Sequence, residues 1–140
     1  MRVVLDTNTL VSAILSPIGP PRRLLDDARG QAFELCSSPV LMAELLDVLS
    51  REKFARRLAA AGLTPLGIVG EIRRLATMAT PTDVPRVVAN DADDDHVLAC
   101  ALAAQADLIV SGDKHLLGLG GSHRGIAIVT PAQAVQKITA

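Results

Sequence analysis

Short, mainly apolar runs that alternate with longer helical stretches constrain the fold of this chain more than any other feature. Four runs have the length of buried strands: residues 1–5, 33–36, 108–110 and 126–129. The segments between them carry apolar residues at helical spacing, as in residues 8–15. Apolar strands joined by helices are typical of a parallel sheet that is covered on both faces. The sequence therefore predicts an α/β fold with a mostly parallel central sheet.

Turn residues mark where the predicted helices begin and end. Ser38 followed by Pro39 predicts a helix start, because serine caps free amides and proline tolerates the first helical position. Residues 52–76 predict two helices separated at residues 62–65, with an apolar stripe of Leu66, Val69, Ile72 and Leu75. The other expected elements are a turn at 17–21, a short strand at Val87 and Val88, a helix over 93–105 and a helix that opens at Pro131.

Length and composition predict one domain that spans residues 1–140, since 49% of the residues are apolar and can fill a single core. Cys36 and Cys100 fall in a predicted strand and a predicted helix, so we interpret them as core residues. No basic and apolar leader opens the chain, and Gln105 and Asp107 interrupt the apolar stretch 97–110. We therefore expect a cytoplasmic protein with no membrane partner.

The charges nearly cancel, with 14 Lys and Arg against 15 Asp and Glu, so a nucleic-acid partner would need a local basic face. Residues 51–74 offer one, because six basic residues stand there against two acidic ones. Phe33 and Phe54 are the only aromatic residues, which leaves little for base stacking. RNA contacts would then rest on phosphates and metal, and the candidates for phosphate binding are Arg51, Lys53, Arg56 and Arg57.

Four carboxylates lie where predicted elements could deliver them to one pocket. Asp6 directly follows the first strand, Glu44 lies in the second turn of the helix after Ser38, and Asp113 follows the strand 108–110. Asp95 belongs to a cluster with four Asp among residues 91–95. In an open α/β sheet, ligands bind beyond the carboxyl ends of the strands. We therefore expect Asp6, Glu44, Asp95 and Asp113 to share a pocket there.

Carboxylates that are brought together repel one another, so such a cluster is stable near neutral pH chiefly when a cation occupies it. Mg²⁺ and Mn²⁺ prefer oxygen ligands and can polarise a phosphoryl oxygen, activate water and stabilise a leaving oxygen. The predicted cofactor is therefore Mg²⁺ or Mn²⁺, and the reaction that suits the site best is phosphodiester hydrolysis.

Each acid also has an ordinary structural explanation. Asp6 can cap the helix that follows it, and Glu44 can face solvent beside the competing acid Asp47. One or two acids of residues 91–95 can cap the next helix, and Asp113 stands in a turn where aspartate often bonds locally. For these residues the structural and the metal-binding interpretations both stay open.

The neighbouring hydroxyl and imidazole groups are ambiguous as well. Thr7 and Ser111 can orient metal-bound water or can serve as turn hydroxyls. We interpret His96, His115 and His123 as surface or locally bonded groups rather than metal ligands.

Four motifs in this order resemble the PIN domain family over nearly the whole chain. Singly they are weak, but all four fall on the expected elements and the size is similar to that of bacterial toxin-like PIN proteins related to VapC-type toxins. The motifs are Val3-Val4-Leu5-Asp6-Thr7-Asn8, the helix from Ser38-Pro39 through Glu44, Asp95-His96-Val97-Leu98-Ala99-Cys100-Ala101, and Ile109-Val110-Ser111-Gly112-Asp113.

The resemblance implies a Rossmann-like, three-layer α/β/α sandwich and a Mg²⁺- or Mn²⁺-dependent endoribonuclease, the toxin of a type II toxin-antitoxin system. It implies partners as well: an RNA substrate, a cognate antitoxin and a second copy in a homodimer. By the same resemblance the metal-binding acids are Asp6, Glu44, Asp95 and Asp113, with Asp94 assisting, and the supporting residues are Thr7, Asn8 and Ser111.

Two other functions stay open. Leu-Asp-Thr-Asn-Thr resembles a haloacid-dehalogenase-like loop in which Asp6 would attack phosphate, although that loop needs a second acid where Asn8 stands. A phosphorylated receiver domain fits less well, because Glu44 and the later acids have no place in it. A catalytically silent PIN fold that serves as an RNA- or protein-binding scaffold is the third possibility.

Overall fold

The computed structural model describes residues 1–82 and 92–139. Asp91 and the strand predicted at Val87 and Val88 lie outside these residues. The described part contains the following elements in chain order: β1 (Arg2–Leu5), α1 (Thr7–Leu15), α2 (Pro20–Arg29), β2 (Glu34–Ser37), α3 (Pro39–Leu49), α4 (Glu52–Ala60), α5 (Pro65–Leu75), β3 (Thr77–Met78), α6 (Ala92–Ala104), β4 (Leu108–Val110), α7 (Lys114–Leu117), β5 (Ser122–His123), β6 (Ile126–Val129) and α8 (Pro131–Thr139).

The strands form one sheet in the order β3-β2-β1-β4-β6-β5. Every neighbouring pair is parallel except β5 with β6, which is antiparallel. The predicted α/β fold with a mostly parallel sheet is confirmed. The sequence did not predict β3, β5 and α7, because two-residue strands and a four-residue helix are too short to show a periodic pattern.

Alternate residues of a strand face opposite sides of the sheet, so a strand of consecutive apolar residues presents apolar side chains on both faces. Val3 and Leu5 of β1 join a core that includes residues of α1, α2, α3 and α5, whereas Val4 joins a core built largely with α6. Helices therefore cover both faces, which confirms the predicted three-layer α/β/α arrangement.

Capping side chains fix the starts of several helices. The side chain of Ser38 accepts a hydrogen bond from the Leu41 amide at 3.3 Å, and Pro39 is the first residue of α3. The start predicted from these two residues is therefore confirmed. Thr64 caps α5 in the same way, accepting from the Gly67 amide at 3.0 Å.

Two further predictions concern buried residues. Cys36 and Cys100 are buried and unpaired, as predicted; burial raises the pKa of the Cys36 thiol and raises that of Cys100 to about 12. The stripe predicted for α5 is wrong at one position, because Leu66 is 72% exposed whereas Val69 and Ile72 are buried. Ile68 takes the buried position, since the core face of α5 follows 3.6 residues per turn rather than every third residue. Within the described residues, no helix is both long enough and apolar enough to cross a membrane.

The carboxyl ends of β1 and β4 lie side by side at the centre of the sheet. Leu5 pairs with Val110, and the Asp6 amide donates to the Val110 carbonyl at 3.1 Å. The chain continues from β1 to strands on one side of this point and from β4 to strands on the other side. The point between β1 and β4 is therefore a topological switch point. The register therefore places Asp6 and Ser111 next to each other where such sheets bind ligands.

Candidate metal centre

A cavity of about 200 Å³ opens at this edge of the sheet. Its lining combines acidic, polar and basic side chains with two valines: Asp6, Thr7, Asn8, Glu44, Val48, Arg51, Asp94, Val97 and Asp113. Four carboxylates from four different parts of the chain thus face one small volume. Repulsion among them would be relieved by a bound cation.

Asp6 is held by hydrogen bonds on both carboxylate oxygens. Oδ1 accepts from the Thr9 amide at 2.9 Å, which caps α1, and Oδ2 accepts from the Ser111 hydroxyl at 2.5 Å. Asp6 is 5% exposed. The capping role that the sequence left open is therefore real, and it coexists with a position in the wall of the cavity.

Ser111 links two acids of the cavity. Its fully buried hydroxyl donates to Asp6 and accepts from the Asp113 amide at 2.9 Å. Asp113 in turn accepts from the His115 amide at 2.7 Å and caps α7. One hydroxyl thus ties the Asp6 carboxylate at the end of β1 to the backbone of Asp113 after β4.

Glu44 reaches the cavity from α3, where it is half-buried. Val48, one turn further along α3, lines the same cavity, as helical spacing requires for one face, and Arg51 lines it from the start of α4. Asp47 lies outside this set and is exposed. The structure therefore places Glu44 in the wall of the cavity and leaves Asp47, the nearby acid with which the sequence could confuse it, outside.

Among the acids of α6 whose side chains the structure describes, Asp94 lines the cavity, together with Val97 one turn later. Asp95 is also buried, at 3% exposure, but it is not among the lining residues. The metal-binding role predicted for Asp95 stays a prediction, whereas Asp94, expected only to assist, takes a place beside Asp6 and Asp113. A run of consecutive acids has no periodicity of its own, so the sequence could not identify which member faces inward.

His115 stands beside two of these acids. Its Nδ1 lies 3.5 Å from Asp113 Oδ1 and 4.0 Å from Asp94 Oδ2. One ligand atom from each of the three residues falls within 4.8 Å of the others. Sequence reasoning set this histidine aside, although its place two residues after Asp113 at a strand end was a signal that could have pointed to the site.

The donor set fits a divalent cation. Carboxylate oxygens are the ligands that hard cations such as Mg²⁺ and Mn²⁺ prefer. Thr7 adds a hydroxyl: it is 4% exposed, and its Oγ1 has no hydrogen-bond partner within residues 1–82 and 92–139. A buried hydroxyl is costly without a partner, and a metal ion or its bound water would supply one.

The basic residues predicted to bind RNA lie next to the cavity or on the adjoining helix α4. Arg51 lines the cavity itself. Lys53 lies 4.8 Å from the centre of the Phe54 ring, Arg56 pairs with Glu52 at 2.6 Å, and Arg57 donates to the Leu15 carbonyl at 3.2 Å. The side chains at positions 51, 53, 56 and 57 are exposed, so they can meet a polyanion that approaches the cavity.

Comparisons with known proteins match this description. A family model described as PIN domain matches residues 2–115. An uncharacterized protein of Methanocaldococcus jannaschii is 26% identical over 128 residues, which cover 91% of this chain and 81% of the relative. The fold is similar to that in the crystal structure of VapBC2 from Rickettsia felis bound to a DNA fragment from their promoter. That match has a TM-score of 0.58 and 15% identity, and covers 93% of this chain and 98% of the other.

Proposed function

The chain belongs to the PIN domain family, and on this premise we propose that it is a Mg²⁺- or Mn²⁺-dependent endoribonuclease that hydrolyses RNA phosphodiester bonds. The observation that supports this most directly is the meeting of four carboxylates in one cavity at the carboxyl edge of the sheet. A site of hard oxygen ligands suits reactions in which a phosphoryl group must be polarised.

The acids that would hold the cation are Asp6, Glu44, Asp94 and Asp113, which line the cavity from four elements of the fold. A bound divalent ion would polarise a phosphoryl oxygen and help to generate hydroxide from water near neutral pH. The positions of these four acids are set by α1, α3, α6 and the end of β4, so their ligand atoms are already arranged before an ion binds.

The other residues of the site would orient the reactants. Ser111 holds Asp6 and Asp113 in place through its hydroxyl, and Thr7 offers its buried Oγ1 to an ion or a water molecule. Asn8 is exposed at the opening of the cavity, where its amide can donate to a phosphate oxygen. Arg51 contributes a permanent positive charge to the same wall and would neutralise the phosphate next to the scissile bond.

The proposal is tested with Asp6→Asn. Asparagine caps helices about as well as aspartate, so the variant should keep the start of α1 while losing one metal-binding charge. Purified parent, freed of any bound partner, should cleave members of an RNA panel with Mn²⁺ or Mg²⁺ present and none with EDTA. The variant should be slower by about a hundredfold or more, because metal-assisted stabilisation amounts to several kcal/mol. Asp26→Asn, which removes an exposed acid outside the cavity, should cleave like the parent.

The outcome separates the possible functions. Absence of cleavage by the parent, together with retained RNA or protein binding, would favour the silent scaffold. Equal cleavage by parent and Asp6→Asn would exclude the acids from the reaction. Stable transfer of labelled phosphate to Asp6 would instead indicate a phosphotransfer protein.

The proposal extends to the biological setting: the toxin of a type II toxin-antitoxin pair, acting in the cytoplasm as a homodimer that a cognate antitoxin blocks. The similarity of the fold to a chain of the VapBC2 structure supports this part, since the motifs of this chain resemble VapC-type toxins. Light scattering on the protein purified with and without the product of a small gene directly upstream measures both associations. A protein that stays monomeric and does not bind that product would contradict only the toxin-antitoxin part of the proposal.

A further inference from the structure

We propose that His115 supplies a nitrogen ligand to the ion in this cavity, so that the site ranks a first-row transition ion such as Mn²⁺ above Mg²⁺. The inference rests on the metal-binding part of the proposed function and makes it more specific. It concerns one side chain that lies beside two of the four acids, Asp94 and Asp113.

The spacing of the three groups suits a shared ion. Nδ1 of His115 is 3.5 Å from Asp113 Oδ1 and 4.0 Å from Asp94 Oδ2. Both distances exceed that of an ordinary hydrogen bond. Two ligand atoms that bind one ion at about 2.1 Å each can lie up to about 4.2 Å apart. Both gaps fall within this limit, so one ion can bind Nδ1 together with either carboxylate oxygen.

The backbone holds His115 in this position. Asp113 caps α7 by accepting from the His115 amide, so the histidine lies in the first turn of the helix, two residues from the carboxylate. Asp113 is itself anchored to Asp6 through Ser111. The imidazole is thus attached to the same hydrogen-bonded frame as the acids, and only its own side-chain torsions remain to be set.

A separate observation points to a ligand in the cavity. Thr7 lies in its wall from the side of β1 and α1, and its buried Oγ1 lacks a hydrogen-bond partner in the described parts of the chain. The hydroxyl and the imidazole come from different elements and line or adjoin the same small volume. One ion in this volume would bind the imidazole, and the ion or its bound water would supply the partner that the Thr7 hydroxyl lacks.

The chemistry of the donors sets the preference. Mg²⁺ demands oxygen ligands and gives up its water reluctantly, so an imidazole contributes little to its binding. First-row divalent ions accept imidazole nitrogen, with affinity that rises along the series from Mn²⁺. A set of two carboxylates and one imidazole therefore favours Mn²⁺ over Mg²⁺, whereas four carboxylates alone would discriminate less.

The test is pulsed electron paramagnetic resonance of Mn²⁺ bound to the full chain without RNA, paired with calorimetric titration of Mn²⁺ and Mg²⁺. The parent should show ¹⁴N coupling from a directly bound imidazole. His115→Gln should lose that coupling, and its Kd for Mn²⁺ should rise by about tenfold while that for Mg²⁺ changes by less than about twofold. His96→Gln is the matched control, because His96 lines a different cavity and should leave coupling and both affinities unchanged.

The outcomes separate this inference from the proposed function. Mn²⁺ bound without ¹⁴N coupling in the parent, or coupling that persists in His115→Gln, would overturn the inference and leave the acidic metal site standing. Failure of the parent to bind either ion would overturn both. The parent spectrum needs no variant, so the test holds even if a substitution disturbs folding.

Discussion

Replacement of Ser111 by alanine removes the hydroxyl that joins the ends of β1 and β4. Ser111 is fully buried, donates to Asp6 Oδ2 at 2.5 Å and accepts from the Asp113 amide at 2.9 Å. Alanine keeps the backbone and most of the volume, so the change isolates these two hydrogen bonds. In the metal-free protein, the change also removes the hydrogen bond that Oδ2 of the buried Asp6 carboxylate accepts from Ser111.

The expected cost follows from the kinds of bond. A hydrogen bond to a charged group contributes about 1.5–3 kcal/mol, and one between neutral groups about 0.5–1.5 kcal/mol. Ser111→Ala should therefore lower the free energy of unfolding by about 2–4.5 kcal/mol. This is a large fraction of the roughly 5–15 kcal/mol that stabilises an ordinary domain.

Urea unfolding in EDTA, followed by circular dichroism, measures this cost, and the midpoint should fall by about 1–2 M. Ser37→Ala is the matched control: Ser37 ends the neighbouring strand β2 and is 1% exposed, but its hydroxyl has no hydrogen-bond partner in the described residues. That variant should be unchanged to within about 0.5 kcal/mol or slightly more stable. A Ser111→Ala variant as stable as the parent, or a Ser37→Ala variant that loses as much, would refute the reasoning.

Two further expectations concern charge. Hydrogen bonds from Thr77 and Arg2 lower the pKa of Glu34 below its ordinary value of 4.5, so this stabilisation is fully present above that value and is lost as pH falls through the lowered pKa. Urea midpoints of Glu34→Gln should lie below those of the parent at pH 7 and converge with them as the pH falls through the lowered pKa; a gap that widens on acidification would contradict this. Joint replacement of Arg56 and Arg57 by alanine should weaken RNA binding and reduce its salt dependence by up to about one counterion per lost phosphate contact, and an unchanged slope in a salt titration would place the RNA on another face.

Much of the fold could be predicted because it depends on local patterns. The apolar runs gave β1, β2, β4 and β6, and Ser38 with Pro39 gave the start of α3. The elements that the sequence missed have two to four residues, too few to establish a period. The exposed Leu66 shows a related limit, since apolar character alone does not say which side of a helix meets the core.

The candidate site divides in the same way. By itself the sequence determined that Asp6 and Asp113 follow strands, because the residue after a parallel strand lies at the ligand-binding edge wherever that strand stands in the sheet. Only the tertiary structure decided that Asp94 rather than Asp95 lines the cavity, since one residue along a helix turns a side chain by about 100°.

The tertiary structure also brought His115 beside Asp94, although the two are 21 positions apart in the chain. Packing of α6 against β1, β2 and β4 brings the start of that helix to the end of β4, and this packing depends on residues far apart in sequence. Local chemistry therefore fixed which groups were available to a metal ion. The strand order and the rotation of α6 decided which of them meet.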